Sequence, residues 1–419
     1  MSPPPLSKEA MGYLEYLQQN PAYRRLWLGI VVSFLGDWFN TIALYTAAQA
    51  LSDDARSVAG IMVAKTLPPF LVIPFAGPLV ERMERRGLLI ALDLFRAVGA
   101  LGLVFSYAAG NLVGLYVCVI LMTAASGVAV AAKNAALPQL VEPKYIPLAN
   151  ALGGGTWSVM LALGATFGGT AVAKVGIEGA LYLDAATFVV SAFFFKGLPR
   201  LEPPPASHTS VGFVEGLRYL KSAPYIFCLV LVKPFLGLIG GITILLPFYG
   251  EGTFAEQSGP FWVGLLYGMR GVGCILGAFL VRALLGDQPS TLRRGIALFF
   301  VWEALSYFSL GFVSTFWGVM MSYLLGGLAA SAIWVFSGTL LQLESDRHFH
   351  GRIFAIEFGL HTLSLACSSW LVGTLVQWDY ALSAVGAGAG VFALVPFLLW
   401  SMVLMRWAPK GFSSGSGGV

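Results

Sequence analysis

Charged residues lying inside long apolar segments are the positions in this sequence best placed to do chemistry. Asp37, Lys233, Arg270, Glu303 and Glu357 all do so, as do Lys65, Asp93, Arg96, Asp184 and His361. An ionisable group at bilayer depth costs at least ~2.5–3.5 kcal/mol on insertion scales, so it survives where it pairs or lines a pathway. A carboxylate there can load and release a proton unless a fixed cation locks it ionised. Asp37 shares its helical face with Ser33, Asn40 and Thr41 and is the first candidate for a proton-coupling acid. The alternative is an Asp37–Lys233 ion pair that shapes a cavity without titrating. Arg270 and Glu303 sit at similar depth on consecutive segments and are expected to form a salt bridge. Asp93 and Arg96, one helical turn apart, are expected to pair; Lys65 and Asp184 either pair or snorkel. Glu357, His361, Ser364 and Ser368 form one polar stripe. His361 in that stripe is either a proton relay or a hydrogen-bonded interior residue.

The elements that must hold these charges follow from composition. Only 11% of the 419 residues are charged, against roughly 25% for soluble proteins, and the mean hydropathy is +0.77. Apolar runs fall near 26–50, 57–80, 87–109, 111–132, 148–173, 179–198, 224–248, 260–284, 294–313, 315–340, 353–377 and 380–405. Each is close to the ~20 residues a membrane helix needs. Lys and Arg orient them: 19 fall on one side and 2, Arg56 and Lys174, on the other. By the positive-inside rule both termini are cytoplasmic and the number of spans is even.

The expected architecture is an all-α polytopic membrane protein of twelve transmembrane helices in two six-helix, pseudo-symmetric bundles. The expected divisions are a cytoplasmic segment 1–25, a bundle 26–198, a connection 199–223, a second bundle 224–406 and a flexible tail 407–419. Within the connection, the apolar positions 213, 214, 217 and 220 opposite Arg218 and Lys221 describe an amphipathic helix on the inner membrane face. Arg85-Arg86-Gly87 recurs as Arg293-Arg294-Gly295, and Ala124-Ala-Ser126 as Ala329-Ala-Ser331, which fits an internal repeat. Cys118, Cys228, Cys274 and Cys367 are dispersed in apolar segments, which argues against a disulfide framework or metal knuckle.

Two motifs add a resemblance. Gly77-Pro-Leu-Val-Glu81-Arg82-Met-Glu-Arg85-Arg86 resembles the cytoplasmic loop signature of the major facilitator superfamily, G-x-x-x-D-R-x-G-R-R, with Glu84 in place of the loop glycine. Gly155 with Gly164-Ala-Thr-Phe-Gly168-Gly169 resembles the helix-five signature of its proton-coupled antiporters, with Ala165 in place of the proline. Gly36-Asp37, Ala135–Val141, Glu215–Leu220 and His350-Gly351-Arg352 are most similar to the bacterial drug:proton antiporter branch that includes macrolide and enterobactin exporters.

The resemblance implies a cytoplasmic latch. Gly77 permits close approach of spans two and eleven, and Glu81 sits near a helix amino end that favours an anion. Arg82, Arg85 and Arg86 reach neighbouring acids, with Glu357 the expected partner, unless these arginines only set topology. Gly155, Gly164, Gly168 and Gly169 are expected to pack span five closely against span eight, unless they are generic small-residue packing. The implied activity is proton-driven efflux of an amphipathic small molecule by alternating access. The protein would act as a monomer in the plasma membrane (a bacterial inner membrane), with the proton as coupling ion and no cofactor. An uncoupled facilitator or a lipid or lysophospholipid flippase is the alternative on the same fold. A membrane enzyme or receptor would need a nucleophile, ligand cluster or phosphate loop, and no such motif stands in the sequence. The net charge of +4 is accounted for by topology and gives no reason to expect nucleic acid.

Overall fold

Inside a membrane the backbone has no partner but itself, so apolar runs of this length fold as helices. The structure, a computed structural model, describes residues 13–202, 213–251, 253–254, 256–285, 288–346 and 349–407. Gly77 and Glu81 of the loop motif fall within these ranges as backbone only, their side-chain surroundings lying outside what is described, and the terminal segments 1–12 and 408–419 lie outside the described residues. A short α1 (Tyr13–Gln19) leads into α2 (Pro21–Leu51), α3 (Arg56–Arg82), α4 (Arg85–Ala108) and α5 (Leu112–Leu140). Next come α6 (Ile146–Val159), a π-helical turn at Met160–Gly164, and α7 (Ala165–Lys196). The amphipathic α8 (Phe213–Ser222) precedes α9 (Pro224–Val230), α10 (Val232–Gly240) and α11 (Leu245–Gly250). The remainder is α12 (Pro260–Leu285), α13 (Pro289–Phe308), α14 (Phe316–Glu344), α15 (His350–Gln377), α16 (Leu382–Phe392) and α17 (Leu394–Trp407). Among the described residues, nine helices are long and apolar enough to cross a membrane. The fold is all-α and polytopic.

Local chemistry sets the boundaries. The Asn20 side chain accepts from Tyr23 N at 2.9 Å and Pro21 follows it, a normal capped start for α2. Glu84, where the loop signature has glycine, caps α4 by accepting from Arg86 N at 3.1 Å and Gly87 N at 2.7 Å. The stretch Leu148–Lys196, 49 residues long, is one of the nine. It breaks at Gly176, whose φ of 75° is open to glycine and strained for other residues. On one side of this break Thr156 bonds Trp27, and Gly168 packs on the Trp38 backbone. On the other side Asp184 bonds Asn40, and Phe195 packs on Gly29. The chain therefore runs out along α2 and back along it, reversing at Gly176.

The amino-terminal helices α2 to α7 pack on one another, as do α10 and α12 to α17. The two sets meet chiefly where α3 lies against α15 and where α7 lies against α12. Small residues make the second seam. A Cβ on Gly169 would sit 2.9 Å from Gly264 Cα, and one on Gly271 would sit 2.6 Å from Ala162 Cα. Two hydrogen bonds that cross between the sets lie at one end. Thr46 Oγ1 donates to Glu251 Oε1 at 2.8 Å, and Ala55 N donates to Gln377 Oε1 at 2.6 Å. That end is called here the far end; the opposite one, bearing Arg82, Arg85 and Arg86, is the basic end.

Candidate transport site

Asp37 projects from the middle of α2 and is ion-paired with Arg96 of α4. The Asp37 side chain is 36% exposed, whereas that of Arg96 is 3% exposed, so the pair is open on the carboxylate side only. Arg96 Nη1 also donates to Ser33 Oγ at 3.1 Å and stands 3.6 Å from Asp93. Its guanidinium lies 4.0 Å over the Phe188 ring. Asp93 is fully buried, and neither of its carboxyl oxygens has a hydrogen bond. One buried guanidinium thus sits between an accessible carboxylate that it holds closely and a sealed one with which it makes the expected, longer ion pair.

The expected alternative partner of Asp37 was Lys233, and the structure does not bring them together. Lys233 of α10 donates to Glu357 of α15 at 2.7 Å, both side chains being almost wholly buried. The Trp334 and Phe354 rings cover the ammonium at 4.5 and 5.6 Å. The same bond engages Glu357 inside its own set of helices, and in this conformation it does not meet the loop arginines. Those arginines face their own set too. Arg85 Nη1 donates to Glu202 O at 3.2 Å and Arg86 Nη1 to Leu198 O at 2.9 Å, while Arg82 is exposed. His361 Nδ1 lies 2.8 Å from Lys233 O, and since a carbonyl only accepts, Nδ1 carries the hydrogen.

Arg270 and Glu303 lie near one another on α12 and α13 but do not close the expected salt bridge. Arg270 Nε and Glu303 Oε2 are both buried without a hydrogen-bond partner. Lys65 and Asp184 neither pair nor snorkel. Asn40 joins them instead, donating to Asp184 Oδ2 at 2.8 Å and accepting from Lys65 Nζ at 3.5 Å, while Lys65 also donates to Thr41 Oγ1 at 2.6 Å.

The glycine motif divides its work. Cβ atoms on Gly164 and Gly168 would lie 2.8 and 2.6 Å from Trp38, the neighbour of Asp37. Gly169 alone of the four makes the tight contact with α12; Gly155 has only Phe279 Cζ, at 3.8 Å. Sequence reasoning missed Lys133 as an interior charge. Helix α5 continues to Leu140 and sets the Lys133 ammonium 5.9 Å from the rings of Phe34 and Phe195. The apolar run resuming at Ala135 is the signal that could have revealed it. The Thr46–Glu251 bond carried no signal in either segment alone.

Membrane-length helices that bury charge pairs on both sides of a small-residue seam define a polytopic secondary transporter of the major facilitator fold. The profile of the transmembrane secretion effectors matches residues 16–414, and the chain belongs to that family of the superfamily. It is a transporter-family protein and not an enzyme, and no metal-binding cluster occurs among the described residues. Similar sequences include BacE of Bacillus subtilis, provisionally named a bacilysin exporter, 23% identical over 368 residues covering 85% of this chain and 89% of BacE. The MFS-type transporter y4rN of Sinorhizobium fredii is 23% identical over 392 residues, 90% of this chain and 94% of y4rN. In three dimensions the chain is similar to a POT family transporter solved in complex with 5-aminolevulinic acid, with TM-score 0.74, 13% identity, and 94% and 97% of the two chains covered. It is also similar to a bacterial homologue of the iron transporter ferroportin in an inward-facing state, with TM-score 0.68, 16% identity, and 91% and 98% covered. At these identities the likeness is one of fold.

Proposed function

We propose that this protein is a proton-driven exporter of amphipathic small molecules, working by alternating access as a monomer in a bacterial inner membrane. The proposal includes twelve crossings. To the nine apolar helices it adds α3, α13 and the second crossing made when the chain reverses at Gly176. It keeps the two six-helix bundles, 26–198 and 224–406, joined through 199–223, with the basic end and both termini in the cytoplasm. Membership in a family of secretion effectors favours export, and the relative provisionally named a bacilysin exporter points the same way. The branch resemblance to macrolide and enterobactin exporters belongs to this proposal as well.

The observation that carries the coupling is Arg96 between Asp37 and Asp93. When Asp37 is ionised, it holds Arg96 and the α2–α4 contact is drawn tight. When Asp37 takes a proton, its claim on Arg96 ends, and the guanidinium turns to Asp93, 3.6 Å away. A proton arriving at the exposed carboxylate thereby becomes a shift between two helices. Entry of one proton across 100 mV supplies ~2.3 kcal/mol before any pH gradient is counted. The test is dye accumulation in an efflux-deficient bacterium, with and without protonophore, beside Asp37→Asn at matched membrane abundance. Accumulation should fall with the wild type and be restored by either treatment. Export that persists under both sinks the coupling scheme.

One feature favours an uncoupled lipid flippase as a second reading. A lateral groove of about 810 Å³ between α3, α5 and α15 is lined by apolar residues, including Val63, Leu67, Leu71, Ile120 and Trp370, with Asp54 and Arg56 at one end. A flippase would export no dye and would move a fluorescent lysophospholipid regardless of protonophore.

A further inference from the structure

We infer that Glu251 is a proton-dependent lock on the far end: it takes up a proton as the two sets of helices close around it, so an acidic exterior holds that end shut. The inference takes from the exporter reading only that the basic end is cytoplasmic, and it does not rest on coupling through Asp37.

Glu251 directly follows α11, and its Oε1 accepts from Thr46 Oγ1 of α2 at 2.8 Å, across the seam between the two sets. The hydroxyl is a neutral donor. It compensates an ionised carboxylate taken out of water only in part, whereas it serves a neutral carboxyl oxygen fully. A cavity of about 190 Å³ flanks the contact. Gln49, one turn on from Thr46, lines it from one set, and Phe248, one turn before Glu251, lines it from the other. Ser52, Asp53 and Ser57 add polar wall, and Asp53 is exposed, which gives protons a polar route from outside. Gln49 Oε1 is buried without a donor. It lies on the same side of α2 as Thr46 and is an acceptor for the hydrogen of a protonated carboxyl.

Burial pushes the Glu251 carboxyl above its ordinary value of 4.5, and the Thr46 bond opposes this only in part. The α2–α3 turn brings Asp53, Asp54 and Arg56 to this end, and the α7 reversal brings Lys174 and Glu178. Glu256 follows α11 and Asp379 follows α15, while the turn of α12 packed on Gly250, Pro260–Val263, carries no titratable group. None of these charges joins burial and Thr46 in setting Glu251. Asp54 is committed to Arg56 at 2.6 Å, which holds it below its ordinary value of 3.8. When the far end opens, Glu251 loses Thr46 and recovers water, and its carboxyl returns toward the ordinary value. The closed arrangement therefore binds the proton more tightly, and by linkage a falling pH favours closure. That preference is complete below 4.5 and is lost as pH rises through the raised value.

The test uses full-length protein with Cys118, Cys228, Cys274 and Cys367 replaced and spin labels on Val113→Cys and Phe312→Cys, exposed far-end positions in the two sets. The label-to-label distance is read by pulsed electron paramagnetic resonance in lipid nanodiscs between about pH 5 and about pH 8. Each measurement is repeated with Asp37→Asn, where that acid cannot titrate. The ratio of long-distance to short-distance molecules is expected to fall at least ~tenfold on acidification, with or without Asp37→Asn. Glu251→Gln, which keeps an acceptor for Thr46 and cannot ionise, should hold the short distance at every pH in both backgrounds. Asp53→Asn should respond as its parent does. A distance that ignores pH in the parent overturns the inference, as does a pH response that vanishes with Asp37→Asn alone. So does Glu251→Gln that still follows pH or stays open throughout. Protonophore-sensitive dye export with a pH-independent distance retires only this inference. A distance that follows pH through Glu251, with dye export indifferent to protonophore, retires only the coupling scheme.

Discussion

Asp93 and Glu357 show how differently two buried carboxylates can be used. Glu357 is committed to Lys233 in a sealed pair at 2.7 Å. Removing one member of such a pair leaves an uncompensated buried charge, a loss of about 3–5 kcal/mol, whereas removing both is often tolerated. Lys233→Met and Glu357→Gln should each lower the melting temperature in detergent strongly, and the double variant should regain most of it. A double variant as unstable as the worse single one would contradict a purely structural pair. Asp93 instead has no hydrogen bond and stands 3.6 Å from a guanidinium that Asp37 already holds. Asp93→Asn should leave substrate binding and melting near wild type but cut proton-driven transport at least tenfold, because Arg96 loses the alternative partner. Undiminished transport in flux assays would remove Asp93 from the scheme. The residue types and their depth were legible in the sequence, since a charge in an apolar run stands out. Their pairing was not. Asp37 could meet Lys233 or Arg96 as far as spacing tells, and only the packing of α2 on α4 selects Arg96.

Helix contacts make finer claims than helix existence. The break near residues 174–178 was readable from Lys174, Gly176 and Glu178 between two apolar runs, and α7 bends there at Gly176. The glycine motif was readable as a smooth face, but which neighbour each glycine meets depends on helix rotation that no short pattern encodes. Gly169 faces the α12 backbone, so Gly169→Ala must push the helices apart, an overpacking loss of about 1–3 kcal/mol. Gly155→Ala meets only Phe279 Cζ at 3.8 Å and should be neutral. Equal melting temperatures for the two variants would show that the α7–α12 seam is looser than its geometry. Glu84 offers an electrostatic counterpart at the start of α4. Burial on its own raises this carboxyl, but the backbone N–H groups of Leu201, Gly87 and Arg86 and the Arg86 charge outweigh it and hold the group below its ordinary value of 4.5. A depressed carboxyl stabilises the fold above that value and loses its contribution as pH falls through the lowered one. Glu84→Ala should therefore cost about 0.5–2 kcal/mol near neutral pH, a difference from wild type that shrinks in acid. A deficit independent of pH would assign the loss to packing.

At the scale of the whole molecule, the bonds that cross between the two sets of helices decide which conformation is present. Thr46–Glu251 and Ala55–Gln377 hold the far end together, reinforced by Gly373 packed on Ala59 and by the Tyr45–Tyr267 stack. At the basic end no hydrogen bond crosses among the described residues, and Arg85 and Arg86 are turned back onto Glu202 and Leu198. If the basic end is cytoplasmic, this is a conformation closed to the outside. Alternating access then requires the far-end bonds to break on each cycle. Covalently preventing that step is the most direct test of the scheme. In a background with Cys118, Cys228, Cys274 and Cys367 replaced, Thr46→Cys and Glu251→Cys can be bridged by a short bifunctional thiol reagent with a reducible linker. Bridging should abolish transport, and reduction should restore it. A cysteine in place of Phe279, exposed near the basic end, should react with a membrane-permeant thiol reagent equally well before and after bridging. Transport that continues through the bridge would mean that the far end need not open, and a rocking exchange between two faces would be the wrong description of this protein.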